Sequence, residues 1–179
     1  LGRYKAKKRR YANQNGLMLQ TLLRKDDPLE DIVALERESE QSVLNGDLET
    51  YTEDDLMEYG DGLEGRPILM GILGWVFDVS KGAKFYGPDG KYGQFAGNDV
   101  TYSLSTGCHA PACIGKSTET LSENDLKEGK RWLSFFYLHD KYPLVGKLES
   151  DHVKVLMDEL IERASKEDVS DLPPILQDS

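Results

Sequence analysis

The feature that most constrains this chain is a fourteen-residue segment, residues 84–97, in which aromatic residues are interspersed with glycines. It contains two tyrosines, two phenylalanines and four glycines. Between Tyr86 and Tyr92 the sequence is typical of a tight turn, because Pro88 fixes φ and Gly90 can adopt a positive φ. The segment therefore predicts a turn that places both phenols on one wall.

Two interpretations of this segment remain open from its composition. Glycines among aromatic residues allow a flat molecule to approach the backbone closely, with Phe85 and Phe95 free to pack beneath the phenols. The same composition also suits an ordinary glycine-rich surface loop that is held in place by its aromatic side chains.

Charge is distributed unevenly along the chain. The 179 residues carry a net charge of −10 and a pI of about 4.8, which argues against nucleic acid as the main partner. Residues 1–10 carry six Lys or Arg and no acid, whereas residues 26–55 carry twelve acids and one Arg. We therefore predict a basic segment and charged helical arm at 1–49, a compact domain at 50–148, and an acidic helix and tail at 149–179.

The printed sequence holds no apolar run long enough to cross a membrane. The longest such run, residues 67–77, has 11 residues and two glycines, whereas a span needs about 20 residues. The chain begins at Leu1 and not at Met, and its basic start resembles the flank of a membrane anchor or of a processed organellar protein. We expect an endomembrane or organellar protein, tethered by a segment upstream of Leu1; a solvated basic tail is the alternative.

Two helices are predicted outside the compact domain. Asp27 and Pro28 are typical of the start of a helix, which we expect to run to about residue 45. A second helix is predicted to begin at Asp151 and to cover about 152–165. Their thin apolar stripes predict that both pack outside the domain, against a partner or a membrane-proximal surface.

The domain itself is predicted to be α+β, with a mixed sheet and short helices. Residues 68–72 and 75–79 are typical of a hairpin, and residues 141–148 of a turn into a final strand. Thr52 with Asp55 resembles a capping box at the start of a helix, and residues 122–125 are predicted to cap another. In the second of these helices, the residues expected to share one face are Leu126, Leu133 and Phe136. A further short helix is expected from Asn98 to Leu104.

Several motifs resemble the cytochrome b5-like domain of the membrane-associated progesterone receptor family, especially its neuferricin and neudesin branch. They are the segments 51–56, 67–70, 76–80, 84–90, 92–93 and 95–97 with Asp99, followed by 132–135, 141–142 and 145–147. The resemblance covers about residues 50–148. It implies an α+β, cytochrome b5-like haem-binding fold, here with additional N- and C-terminal helical extensions.

The resemblance also implies a site for ferric haem b. By position, Tyr92 corresponds to the iron ligand, while Tyr86, Lys141 and Tyr142 line the pocket. Tyr86 and Lys141 are placed to bond the haem propionates. A phenolate is a hard, anionic donor that favours ferric iron, and a lysine supplies a cation for a carboxylate.

The histidines and cysteines add alternatives to this site. None of His109, His139 and His152 lies in a His-Pro-Gly-Gly context or has an obvious histidine partner, so we expect surface or loop histidines and no bis-histidine electron carrier. Cys108 and Cys113 lack an evident set of four ligands for zinc. A disulfide and a pair of free thiols are equally compatible with the sequence.

No catalytic constellation is evident from the sequence. Serines have no context for activation as nucleophiles, and the glycines lack the spacing of a phosphate-binding loop. We therefore expect a non-enzymatic haem-binding module that carries or senses haem or supports a membrane partner through its arms. The alternative is a structural accessory subunit of a larger membrane complex, which uses the fold as a scaffold with or without haem.

Overall fold

A computed structural model describes residues 36–37 and 39–170 of the chain, with side chains through Glu159. The strands are β1 (Glu49–Thr52), β2 (Leu69–Ile72), β3 (Trp75–Asp78), β4 (Asn98–Asp99) and β5 (Leu144–Glu149). The α-helices after β1 are α1 (Glu53–Tyr59), α2 (Ala83–Tyr86), α3 (Thr101–Thr106), α4 (Glu123–Leu138) and α5 (Asp151–Ser170). Residues 36–37 and 39–44 are also helical.

The sheet is mixed, as predicted, with the strand order β1-β5-β3-β2-β4. The outer pairs β1–β5 and β2–β4 are parallel, and the inner pairs are antiparallel. The β2–β3 hairpin is confirmed, and both residues of its turn, Leu73 and Gly74, have positive φ, as a type I′ turn requires. Leu73 tolerates this conformation because its side chain is fully buried and its N–H donates to Thr101 Oγ1 at 2.8 Å.

Both predicted helix starts are confirmed, and each has a capping box. The side chain of Thr52 accepts from the N–H of Asp55 at the start of α1, and Ser122 does the same with Asp125 at the start of α4. Each aspartate in turn accepts from the backbone N–H of its capping residue. The predicted core face of α4 is confirmed, since Leu126, Leu133 and Phe136 are all buried.

The start of α3 differs from the prediction. Asn98 and Asp99 form β4, which pairs in parallel with Met70 and Gly71, and the helix begins only at Thr101. The side chain of Asp99 accepts from the N–H of Thr101 at 2.9 Å. A local capping pattern in the sequence does not reveal that the preceding residues pair with a distant strand.

The prediction that helix 152–165 packs outside the domain is wrong for its first two turns. Val153, Leu156 and Met157 of α5 are 4–6% exposed and belong to the main core cluster, together with Trp75 and Phe136. Part of the other predicted arm lies outside the described residues. The whole of residues 1–35 and of the acidic tail after residue 170 also lies outside them. In the described part of that arm, Glu36 forms an ion pair with the buried ammonium of Lys147.

Among residues 36–37 and 39–170, no helix has the length and apolar character needed to cross a membrane.

Candidate functional site

Three phenol rings meet on one side of the domain. The ring centroid of Tyr86 lies 6.3 Å from that of Tyr92 and 6.0 Å from that of Tyr142. Tyr86 therefore contacts both the glycine-rich segment and the turn that precedes β5. The prediction that the turn brings Tyr86 and Tyr92 to one wall agrees with this geometry.

The turn is closed by backbone contacts. The N–H of Tyr92 donates to the carbonyl of Phe85 at 2.8 Å, which folds the chain back on α2. Gly90 does not adopt the positive φ expected of it. A glycine is needed there because a Cβ atom would lie 2.3 Å from the Phe85 carbonyl oxygen.

The floor beneath the phenols is aromatic and belongs to the core. The ring of Phe136, on α4, lies 6.1 Å from Tyr86 and 5.6 Å from Tyr142, and it also contacts Phe77 of β3. Since Phe136 is buried and packs on buried Phe77, it supports the two phenols from below.

Gly82 forms a cradle at the inner edge of the site. A Cβ atom at this position would lie 2.6 Å from Tyr142 Oη and 3.0 Å from Tyr86 Cδ2. The backbone therefore approaches both phenols too closely for any side chain at this position. Sequence reasoning did not identify Gly82, because nothing local distinguishes it from other glycines in loops.

The two inner phenols are held in their neutral form. Burial, with smaller contributions from Tyr142 and Tyr92, raises the pKa of Tyr86 to about 12. Burial also raises the pKa of Tyr142. Both side chains are therefore O–H donors at neutral pH. Within the described part of the chain, the hydroxyl groups of Tyr86, Tyr92 and Tyr142 form no hydrogen bond.

Phe85 differs from the prediction that it packs beneath the phenols. Phe95 is buried beneath Tyr92, with the rings stacked at 5.5 Å, but Phe85 is 48% exposed and does not form part of the floor. The side chain of Lys141 is exposed beside Tyr142. Its role at the site stays a prediction.

The histidines are more involved than the sequence indicates. His109 lies in an exposed loop, as expected, but its ring is 5.6 Å from Tyr92 and stacks on Phe95 at 5.7 Å. His139 stacks on Tyr142 at 4.2 Å. The expectation of a surface or loop residue is wrong for His152, which lies in α5 with a side chain 15% exposed and 3.1 Å from Asp99 Oδ2.

The open question about Cys108 and Cys113 is answered by the structure, which joins them in a disulfide with Cα atoms 6.0 Å apart. The disulfide closes a short loop that contains the 3-10 turn Pro111–Cys113. His109 is part of this loop, so the crosslink helps to determine where the His109 ring lies.

Comparison with known proteins gives the same architecture. Residues 52–149 match the family model described as "Cytochrome b5-like Heme/Steroid binding domain". A solved Arabidopsis thaliana structure, described as having a cytochrome b5 like fold, superposes with a TM-score of 0.52 at 36% identity, covering 57% of this chain and 93% of that one. The chain belongs to the cytochrome b5-like haem/steroid-binding domain family.

Within that family, the named relatives match the predicted branch. Neuferricin from Danio rerio is 39% identical over 54% of this chain and 36% of its own length. Membrane-associated progesterone receptor component 2 from Homo sapiens is 37% identical over 55% of this chain and 44% of its own length. The chain thus spans less than half of these relatives, but it spans 98% of an Arabidopsis thaliana protein named "Probable steroid-binding protein 3", at 35% identity over 56% of this chain.

The residues at the phenol cluster fit a haem. They combine a glycine whose missing side chain leaves room for the phenols, an apolar aromatic floor and three phenol oxygens. Phenol oxygen is a known axial donor to haem iron, and neutral phenols and an exposed ammonium are suitable donors to carboxylates.

Proposed function

We propose that this domain binds ferric haem b with Tyr92 as its protein axial ligand, and that it acts as a non-catalytic haem carrier or sensor, or supports a membrane partner. The observation that carries the proposal is the convergence of Tyr86, Tyr92 and Tyr142 beside the Gly82 cradle. Membership of the haem/steroid-binding family supports haem as the ligand.

The three phenols would have different roles. Tyr86 and Tyr142 keep their protons, because burial raises the pKa of both, so they are suited to donate hydrogen bonds to haem carboxylates. Lys141 would add a charge at the rim. Tyr92 would bind the metal as phenolate, since a metal ion lowers the pKa of a coordinated group and so removes its proton. The haem, when bound, would supply a ferric centre that is stabilised by this anionic donor.

Simple retention of haem is a poor test of this assignment. A macrocycle of about 40 non-hydrogen atoms, at roughly 0.3 kcal/mol per atom, reaches about −12 kcal/mol, which corresponds to nanomolar affinity without an iron bond. Burial alone could therefore keep haem in a variant that lacks the ligand. The electronic signature of the iron–phenolate bond is the sharper measurement.

We expect ferric haem added to the wild-type protein to show a phenolate-to-iron charge-transfer transition, with phenolate modes in its resonance Raman spectrum. Tyr92→Phe should lose those modes while retaining some haem. Tyr86→Phe is the matched control. It should keep the modes and bind haem several-fold more weakly, because it removes only a hydroxyl that donates to a haem carboxylate.

Two results would contradict the proposal. Phenolate modes that persist in Tyr92→Phe would mean that another tyrosine is the ligand. A folded wild-type protein that takes up no haem would instead favour the scaffold role in a larger membrane complex.

We also propose that this protein is membrane-associated, with a partner bound through regions outside the phenol cluster. The support is that a relative is named membrane-associated.

A further inference from the structure

The loop closed by Cys108 and Cys113 contacts Tyr92, the proposed iron ligand. The rings of Tyr86 and Phe95, which lie beside Tyr92, come from the same glycine-rich segment as Tyr92. The ring of His109 comes from a separate loop and lies 5.6 Å from that of Tyr92, tilted by 44°. His109 is therefore a contact to Tyr92 that comes from outside the glycine-rich segment.

Hydrogen bonds anchor this loop on both sides of the disulfide. Gln94 Nε2 donates to the carbonyl of His109 at 2.7 Å. The hydroxyl of Ser103, on α3, donates to the carbonyl of Cys113 at 2.9 Å. The first bond ties the loop to the turn that follows Tyr92, and the second ties it to the core.

The disulfide is within reach of a reductant. Cys108 and Cys113 are both partly exposed, and the residues between them are exposed. Without the crosslink, the six-residue loop would keep its two anchoring hydrogen bonds but would gain conformational freedom. The residue most affected would be His109, since it is adjacent to Cys108 and its ring has no hydrogen bond in the described part of the chain.

We infer that the Cys108–Cys113 loop is a redox-sensitive wall of the ligand site, in which His109 is a positioning residue that holds the Tyr92 ring while the disulfide is intact. The inference rests on the proposed haem ligation by Tyr92. A dithiol reductant would break the S–S bond: each sulfur gains one electron and one proton, and the reductant becomes a disulfide. The freed loop would then hold Tyr92 less firmly and weaken ligand binding.

The size of the effect follows from a single aromatic contact. Such a contact corresponds to about a threefold to tenfold change in an equilibrium constant. We expect His109→Ala and the double variant Cys108→Ser with Cys113→Ser each to raise the Kd for ferric haem by that factor. His109→Phe should restore most of the affinity, because a phenyl ring reproduces the stack on Phe95. Ala112→Ser, an exposed change in the same loop, is the matched control and should leave the Kd unchanged.

A second measurement does not need haem. In the haem-free protein with ¹³C-labelled tyrosine, NMR should show the ring signals of Tyr92 shifted in His109→Ala, because the ring current of the imidazole is lost. The same signals should shift or broaden in the double cysteine variant, and in wild-type protein treated with dithiothreitol. The triple variant should bind haem no more weakly than the weaker of its parents, since both changes act through one contact.

The outcomes separate this inference from the proposed function. Unchanged Tyr92 signals and an unchanged Kd in the folded double cysteine variant would overturn the inference, even if its melting temperature falls. If wild-type protein binds no haem, the proposed function fails, and the tyrosine signals alone decide whether the loop positions Tyr92.

Discussion

At the scale of single residues, Gly82 provides a direct test of the phenol cluster. Its φ of −99° is accessible to any residue, so Gly82→Ala would not strain the backbone. The added methyl group would instead lie 2.6 Å from Tyr142 Oη and 3.0 Å from the Tyr86 ring. Overpacking of this kind costs about 1–3 kcal/mol, and here the two phenols must move to relieve it.

We therefore expect Gly82→Ala to fold, to lose about 1–3 kcal/mol in its free energy of unfolding, and to bind ferric haem at least tenfold more weakly. Urea unfolding and haem titration measure the two effects. Lys81→Ala, at an exposed neighbouring position, is the control. Wild-type haem affinity in Gly82→Ala would show that the cradle lies outside the site.

The sequence identifies the residues whose chemistry is unusual, and it misses those whose importance is only geometric. Tyr86, Tyr92 and Tyr142 are predicted as site residues because their positions match the motifs of the family. Gly82 and His109 are not, since their roles come from contacts between segments that are distant along the chain. Gly90 was assigned for its φ, whereas the structure requires it for its missing side chain.

At the scale of elements, α5 and β4 are joined by hydrogen bonds between polar side chains. Asp99 accepts from Thr101 Oγ1 through one carboxylate oxygen and lies 3.1 Å from His152 Nε2 through the other. The hydrogen bond to Asp99 raises the pKa of His152 above its ordinary value of 6.5, and the carboxylates of Asp99, Glu53 and Glu119 reinforce this against the effect of burial.

This raised pKa predicts a pH dependence with a definite sign. Because His152 binds its proton more tightly in the folded state, its contribution to stability is full below pH 6.5 and is lost as the pH rises through its folded pKa. We expect the difference in the free energy of unfolding between wild type and His152→Gln to shrink from pH 5.5 to pH 8.5, as measured by urea unfolding. A difference that grows with pH would mean that the imidazole is neutral in the folded protein. Asp99→Asn should weaken the pH dependence, because only the smaller contributions of Glu53 and Glu119 would remain.

Local patterns predict the elements better than they predict where the elements pack. The hairpin and both capping boxes depend on residues close in sequence, and the structure confirms them. The position of α5 depends on a distant surface: its stripe of Val153, Leu156 and Met157 is as narrow as that of a surface helix, yet it covers the β2–β3 turn, where Val153 lies against Gly74. An amphipathic stripe shows that a helix has a partner and leaves the identity of that partner open.

At the scale of the whole molecule, the question is where the folding unit ends. The sequence predicts a domain at 50–148, and this boundary stays a prediction. The structure nevertheless places three side chains of α5 in the same core cluster as the floor of the phenol site. The site and the first turns of α5 therefore share one hydrophobic core, so the helix should influence ligand binding through stability.

This shared core predicts the effect of truncation. Removing residues 151–179 would expose the core surface covered by Val153, Leu156 and Met157 and would leave Asp99 without His152. At about 1.5–3 kcal/mol per buried side chain, the loss is roughly 4–9 kcal/mol as an upper estimate, which is comparable to the entire stability of a typical domain. We expect a variant ending at Ser150 to show no cooperative thermal unfolding by circular dichroism, whereas a variant ending at Glu162 should unfold cooperatively near the wild-type midpoint. Cooperative unfolding and unchanged haem affinity in the shorter variant would instead place the end of the domain at residue 148, with α5 as a dispensable extension.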